Sequence, residues 1–238
     1  MSVVGNPGRD CRHFNGYKPC FPGVDCSRAC AQDSPMGTRI HIVNLDAMGD
    51  VLMTTAQLAA IKRVHPVSHL TWITDPSATA LLRHNPYLDR VYPWTDTGRM
   101  IASAQQYDLV LNADKSDYAC AFVAGIRSEE IRGFTFSTRG QTVPANLESE
   151  YSFRLGLDDQ LKFRINQRSG QSILAESWKL PFERDEYVLA LTADEQDFIA
   201  ATRSEWALDG RTVVAFNTGC SDLFPNKKFT IEQHVHLI

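Results

Sequence analysis

The sequence lacks any apolar run near the 18 or so residues that a membrane-spanning helix needs. Its first 35 residues lack the apolar core of a secretory signal, so nothing in them directs export. An excess of positive charge is also missing. Lys and Arg total 24 against 28 Asp and Glu, a net charge of −4, whereas a dedicated nucleic-acid binder carries a basic surplus. There is no P-loop, no G-x-G-x-x-G and no G-x-S-x-G elbow, so the familiar phosphate cradles and the serine-hydrolase turn are excluded. No internal repeat or low-complexity run points to a solenoid. What remains is ordinary globular material. At 238 residues and 43% apolar composition, the chain can bury roughly 70% of its unfolded surface in one or two domains without covalent staples.

Cysteine is scarce in most of the chain and crowded at its start. Four of six lie in the first 30 residues, Cys11, Cys20, Cys26 and Cys30. Their C-x8-C-x5-C-x3-C spacing is looser than the paired C-x2-C knuckles of a zinc ribbon. With no export signal the cytoplasm is the expected compartment. There disulfides are disfavoured, and grouped thiolates suit a structural zinc or an iron–sulfur cluster. The segment RDCRHFNGYKPCFPGVDC is too rich in Gly, Pro, Asn and Asp to form a core alone, and a metal would supply what packing cannot. A flexible leader with unligated thiols is the other reading.

Beyond the leader the pattern is α/β. RIHIVNL (39–45), HLTWIT (69–74), a short piece near Val91, YDLVLNAD (107–114) and 131–134 read as buried strands. Between them, 51–65, 77–85 and 117–126 read as helices, the second with a serine cap. Strands alternating with helices imply a doubly wound, Rossmann-like parallel sheet. The signal weakens from 135 to 185, with a helix over 146–157 and a loop over 164–172. Thr192 and Glu195 have capping-box spacing and open a helix that Gly210 ends. A strand over 211–219, a loop and a helix from Thr230 then read as the first β-loop-α unit of a second Rossmann-like domain, with the chain stopping inside it as a fragment would. The expected organisation is a cysteine-rich leader (1–38), an N-terminal domain (39–205) and the start of a C-terminal domain (206–238).

The stretch NLDAMGDVLMTTAQLAAIKRVHP resembles the opening of the heptosyltransferases, glycosyltransferase family 9. HLTWIT, NPYLDRVYPW, YDLVLNADKSDYACAFVAGI and NTGCSDLFPNKKFTIEQHVHLI resemble later family segments in the same order, so the likeness runs from about Arg39 to Ile238. It implies the GT-B architecture, with this chain holding the acceptor-side domain and the doorway of the nucleotide-sugar domain. It also implies inverting, metal-independent transfer from a nucleotide diphosphate sugar, usually ADP-heptose, to a glycolipid such as lipopolysaccharide core.

Asp50 stands where a strand passes into a helix, at the edge where open α/β sheets bind ligands. Its carboxylate could take the proton from an acceptor hydroxyl. An Asp just ahead of a helix is equally a favoured N-cap. The resemblance tips this toward catalysis, because the family's proposed base falls here; Asp46 is the fallback. Gly49 gives the turn room for a ligand. Thr54 and Thr55 either bind substrate or line a helix face. Lys115 and Ser116 resemble the family's K-S pair and would grip an anionic acceptor; a solvated loop lysine is the alternative. Thr218 and Lys227, or Lys228 in the other register, match the family's donor-diphosphate residues, at a helix amino end that favours an anion. His41 and Trp72 read as packing residues.

The implied protein is a heptosyltransferase-like glycosyltransferase of the cytoplasm, at the inner face of the inner membrane, whose partners are a nucleotide-sugar and a glycolipid and not nucleic acid. By itself this chain is expected to transfer little. Two other classes stay open: a non-catalytic protein that binds glycolipid or nucleotide, and a metal-binding interaction module built on the cysteine leader.

Overall fold

The computed structural model describes residues 10–26, 30–215 and 229–237. The chain divides into two compact units, Met1–Ala190 and Leu191–Ile238.

The first unit is built on a six-stranded sheet. Its strands are β1 (Thr38–Val43), β2 (Ser68–Thr74), β3 (Arg90–Pro93), β4 (Gln106–Asn112), β5 (Arg127–Phe136) and β6 (Thr142–Pro144), in the order β3-β2-β1-β4-β5-β6. The first five are mutually parallel and β6 returns antiparallel on β5. The helices are α1 (Met48–Thr54), α2 (Gln57–Val64), α3 (Thr79–Leu82), α4 (Asp96–Ser103), α5 (Asp117–Gly125), α6 (Glu150–Arg154) and α7 (Gly170–Ser177). The expected doubly wound sheet is present. Strand order reverses beside β1: its crossovers lead first to β2 and β3, then to β4 on its other side. That reversal opens a crevice between β1 and β4 at their carboxyl ends.

Alternation along the strands divides the core between the two sheet faces. Ile40 and Ile42 join Leu70, Trp72, Val51, Leu58 and Ile61 on one face. Val43, Ile73 and Val110 meet Tyr107, Ala119 and Val123 on the other. Trp72 is fully buried, and its indole N–H donates to the Asn44 carbonyl at 3.4 Å. His41 lies buried on the second face, as its alternation with apolar residues predicts. Its ring stacks on Tyr107 with 4.6 Å between centroids, and its Nδ1 lies 2.7 Å from the Thr71 hydroxyl.

Four local expectations are corrected. The helix read over 51–65 is two helices, α1 and α2. The Thr55 hydroxyl donates to the Leu52 carbonyl at 2.6 Å and accepts the Val188 N–H at 2.9 Å. That hydroxyl competes with the helical ladder and breaks it. The serine cap is absent: a 3-10 turn (Pro76–Ala78) leads into α3, and Asp75 caps that turn by accepting the Ser77 N–H at 2.9 Å. Helix α4 and strand β6 were not anticipated. The stretch read as a loop over 164–172 holds the end of a π-helical turn (Leu161–Ile165) and the start of α7.

The second unit contains α8 (Ala193–Glu205) and α9 (Ile231–Leu237). The capping box at α8 is real: Glu195 N–H donates to the Thr192 hydroxyl at 3.2 Å, and Thr192 N–H donates to the Glu195 carboxylate at 2.7 Å. Thr230 and Gln233 exchange the same pair of bonds ahead of α9, at 3.2 and 2.8 Å. Residues 211–215 form no strand; a lone strand has no neighbour to complete its ladder. The rest of that expected strand, 216–219, lies outside the described residues.

Candidate functional site

The crevice at the β1/β4 reversal is a cleft of about 600 Å3, within the range of small-molecule sites. The chain beyond β1 supplies Asn44 and Asp46, α1 supplies Asp50 and Thr54, and the chain beyond β4 supplies Asp114 and Lys115. The far wall comes from α6, the π-helical turn and α7, through residues such as Ser152, Gly156, Lys162 and Gln171.

The carboxylates differ in how they are engaged. Asp114 accepts the Leu45 N–H at 3.0 Å and the Ser116 N–H at 3.1 Å, so each oxygen serves the backbone. Asp46 accepts the hydroxyl of Tyr118. Asp50 is exposed and accepts only a long bond, from the Ala47 N–H at 3.4 Å, near the limit of a useful hydrogen bond. Asp50 is therefore not an N-cap, the alternative that its place ahead of a helix had left open. Helix α1 starts at Met48, Ala47 holds the cap position, and Asp50 lies a turn further on. Its carboxylate loosely reaches back to the helix start and faces the cleft.

The basic wall is tighter. The Lys115 ammonium donates to the Ser152 carbonyl and lies 4.7 Å from the centre of the Phe134 ring. Burial of that ammonium, with the Lys162 charge nearby, pushes its pKa down to about 8. Two cations held near one another favour an anion between them. Gly156 stands beside the ammonium: a Cβ there would lie 3.6 Å from it, in ordinary contact. Asn44 is buried and its side-chain amide oxygen Oδ1 lacks a hydrogen-bond partner among the described residues, which leaves an unmet acceptor beside Asp46 and Asp50.

The structure thus brings together Asp46, Asp50, Thr54 and Lys115 of the residues singled out in the sequence. Thr54 is buried, while Thr55 is occupied as the clasp between α1 and Val188. Ser116 stands at the N-cap position of α5 without a side-chain capping bond and does not line the cleft. Gly49 is not in the lining either, and a Cβ there would meet nothing within 4 Å. Gly133 of β5, with φ +101°, permits a close approach of a different kind, backbone to backbone: its Cβ would fall 1.9 Å from the Asn112 carbonyl oxygen. Thr218, Lys227 and Lys228 lie outside the described residues. Asn44, Lys162, the π-helical turn and α7 were missed, and the helix read over 146–157, which holds α6, was not placed at the cleft; the Ser169 cap, which accepts the Ser172 N–H at 3.2 Å, was a local signal for α7.

In the leader, Cys11 is buried, while Cys20, Cys26 and Cys30 are half-buried. Partial burial and the Cys26 thiol push the Cys20 thiol upward in pKa. Among the described residues, no three His, Cys, Asp or Glu side chains are arranged to hold a metal ion. No described helix is long and apolar enough to cross a membrane.

No family model matches the sequence, and no curated protein matches it. Solved structures do match. The glycosyl transferase family 9 protein from Veillonella parvula DSM 2008 is similar with a TM-score of 0.61 at 17% identity, over 84% of this chain and 58% of that one. The chain therefore spans just over half the length of that protein. Two Escherichia coli structures match more loosely. ADP-heptose lps heptosyltransferase II gives a TM-score of 0.44 at 14% identity, over 73% of this chain and 52% of the other. Heptosyltransferase WaaC with ADP-2-deoxy-2-fluoro heptose gives 0.41 at 17% identity, over 68% and 54%. The first likeness shows the fold: a Rossmann-like α/β unit of the kind found in a family 9 glycosyltransferase.

Proposed function

We propose that this chain is the acceptor-side part of a heptosyltransferase-like glycosyltransferase. It moves a sugar, heptose by the family resemblance, from a nucleotide diphosphate donor to a glycolipid acceptor such as lipopolysaccharide core, at the cytoplasmic face of the inner membrane. The observation that carries this reading is the loosely held Asp50 carboxylate on the rim of a cleft whose opposite wall is cationic. The shared fold with a family 9 enzyme supports it.

In the inferred reaction the acceptor hydroxyl gives its proton to Asp50. Its oxygen attacks the anomeric carbon as the bond from that carbon to the diphosphate breaks, which inverts the centre and releases a nucleoside diphosphate. Lys115 and Lys162 hold an anionic group of the acceptor. Thr218 and Lys227, with Lys228 as the other register, would stabilise the charge on the departing diphosphate. The reaction needs no metal; a zinc or iron–sulfur cluster on the leader cysteines would be structural, and metal analysis of the purified protein tests for it.

The test is transfer from ADP-heptose to a core acceptor by the gene product that carries this chain, followed by mass spectrometry. Asp50→Asn keeps a side-chain acceptor for the Ala47 N–H and removes the base. Its kcat is expected to fall by about 10² to 10⁴ with the melting temperature unchanged. Turnover within a few-fold of wild type rejects Asp50 as the base.

A further inference from the structure

A second cavity, of about 340 Å3, lies at the amino edge of the sheet, away from the cleft. Its floor is made by first or second residues of four parallel strands: Arg39 of β1, His69 of β2, Arg90 of β3 and Gln106 of β4. Its roof is the leader, at 14–16 and Met36. Among the described residues no carboxylate lines it.

The donors in this cavity are unevenly engaged. Arg39 is neutralised by Asp108 at 3.0 Å. Arg90 is exposed and pairs with no carboxylate among the described residues. The Asn15 carboxamide oxygen accepts the Tyr17 and Lys18 N–H groups at 2.8 and 3.1 Å, which leaves its NH2 for another partner. His69 is only 5% exposed, and its ring Nε2 has no hydrogen-bond partner. A buried polar atom without a partner is costly and calls for an occupant of the cavity. A free guanidinium, an amide NH2 and an unmet imidazole nitrogen around one space suit an oxyanion. The guanidinium fork matches two oxygens of a phosphate in particular.

We propose that this cavity is a second ligand site, one that takes a phosphate group and fastens the leader to the sheet when filled. The site is separate from the cleft and does not depend on the transferase reading. Its occupant is either inorganic phosphate or the phosphate of a small monoester, since the space exceeds a single ion.

Titration calorimetry of the full chain with inorganic phosphate, and in parallel with glycerol phosphate, tests the proposal. Arg90 is at the surface, so Arg90→Gln leaves the fold intact. It is expected to weaken binding about tenfold or more, whereas Lys115→Gln in the cleft leaves this binding in place. Either probe showing that dependence supports the site, and the tighter one names the source. A second readout is the rate at which a maleimide labels Cys11, which is buried where the leader docks. Phosphate should slow it in wild type and not in Arg90→Gln. No binding of either probe, binding that is lost in Lys115→Gln but kept in Arg90→Gln, or a Cys11 rate indifferent to phosphate would each overturn the proposal.

Discussion

The two edges of one sheet solve opposite problems with the same residue types. At the amino edge the carboxylates are locked. Asp108 accepts the Arg39 N–H at 2.6 Å and its guanidinium at 3.0 Å; Asp89 accepts the Leu70 N–H at 2.8 Å and Arg12 at 3.0 Å. At the carboxyl edge Asp114 is locked in the same manner, but Asp50 holds a single long bond and Lys115 rests on a carbonyl and a ring. The difference teaches where chemistry is available. A carboxylate already ringed by donors stabilises the fold, while one left nearly free on the rim of a cleft is open to a substrate proton.

The largest expected effect breaks the carboxyl edge. Gly133 has φ +101°, and any Cβ there would meet the Asn112 carbonyl oxygen at 1.9 Å. Neither backbone strand can move aside cheaply, because β4 and β5 pair along their length. Gly133→Ala is expected to cost about 3 kcal/mol or more in urea denaturation. Gly49→Ala is the control. It adds a methyl to open space inside α1 and should be neutral or raise stability by about 0.5–1 kcal/mol. Equal costs at the two glycines would mean that β5 does not approach β4 as described.

The next effect sharpens the contrast between the sheet's interior and its edges. Complete burial of His41 lowers its pKa from 6.5 to about 3. The folded state therefore resists a proton that the unfolded chain binds from about pH 6.5 downward, so stability falls as the pH drops through that range and stops falling near pH 3. For this one group the loss by about pH 4 is about 3 kcal/mol. His69 and His65 are shifted in the same direction and add to it. Denaturation midpoints across this range should flatten markedly in His41→Phe, whose ring can keep the stack on Tyr107. An unchanged pH profile in that variant would remove His41 as the source.

Most of the sheet was readable in advance because buried parallel strands are continuous β-branched runs, and RIHIVNL, HLTWIT and YDLVLNAD are of that kind. Asp50 and Lys115 were readable because both follow such strands. The far wall of the cleft was not. Its α6 lies within the helix read over 146–157, but the π-helical turn and α7 are too short to show a helical period. The break between α1 and α2 was hidden for another reason: the partner of the Thr55 hydroxyl, Val188, is 133 residues away, and no local pattern reports it. The close backbone approach at Gly133, where β5 passes β4, is likewise set by pairing between distant segments and has no local pattern.

The smallest expected effect tests the amino edge, where the Arg12 side chain hydrogen-bonds the leader to the sheet. The Arg12 guanidinium donates to Asp89 at 3.0 Å and to the Pro35 and Ser68 carbonyls at 3.2 Å each, tying the leader to the starts of β2 and β3. The pair is only partly shielded, with the two side chains 25% and 13% exposed, so water screens much of its attraction. Arg12→Ala is expected to cost about 1 kcal/mol, a shift of a few degrees in melting temperature. Its clearer mark is local: Cys11, 6% exposed beside the clamp, should be labelled by a maleimide several-fold faster. Arg12→Lys keeps the charge but cannot reach all three acceptors, so it should fall between the two. A Cys11 labelling rate identical in all three proteins would mean that the leader is held by its packing and not by Arg12, and the amino edge would then owe its order to shape instead of charge.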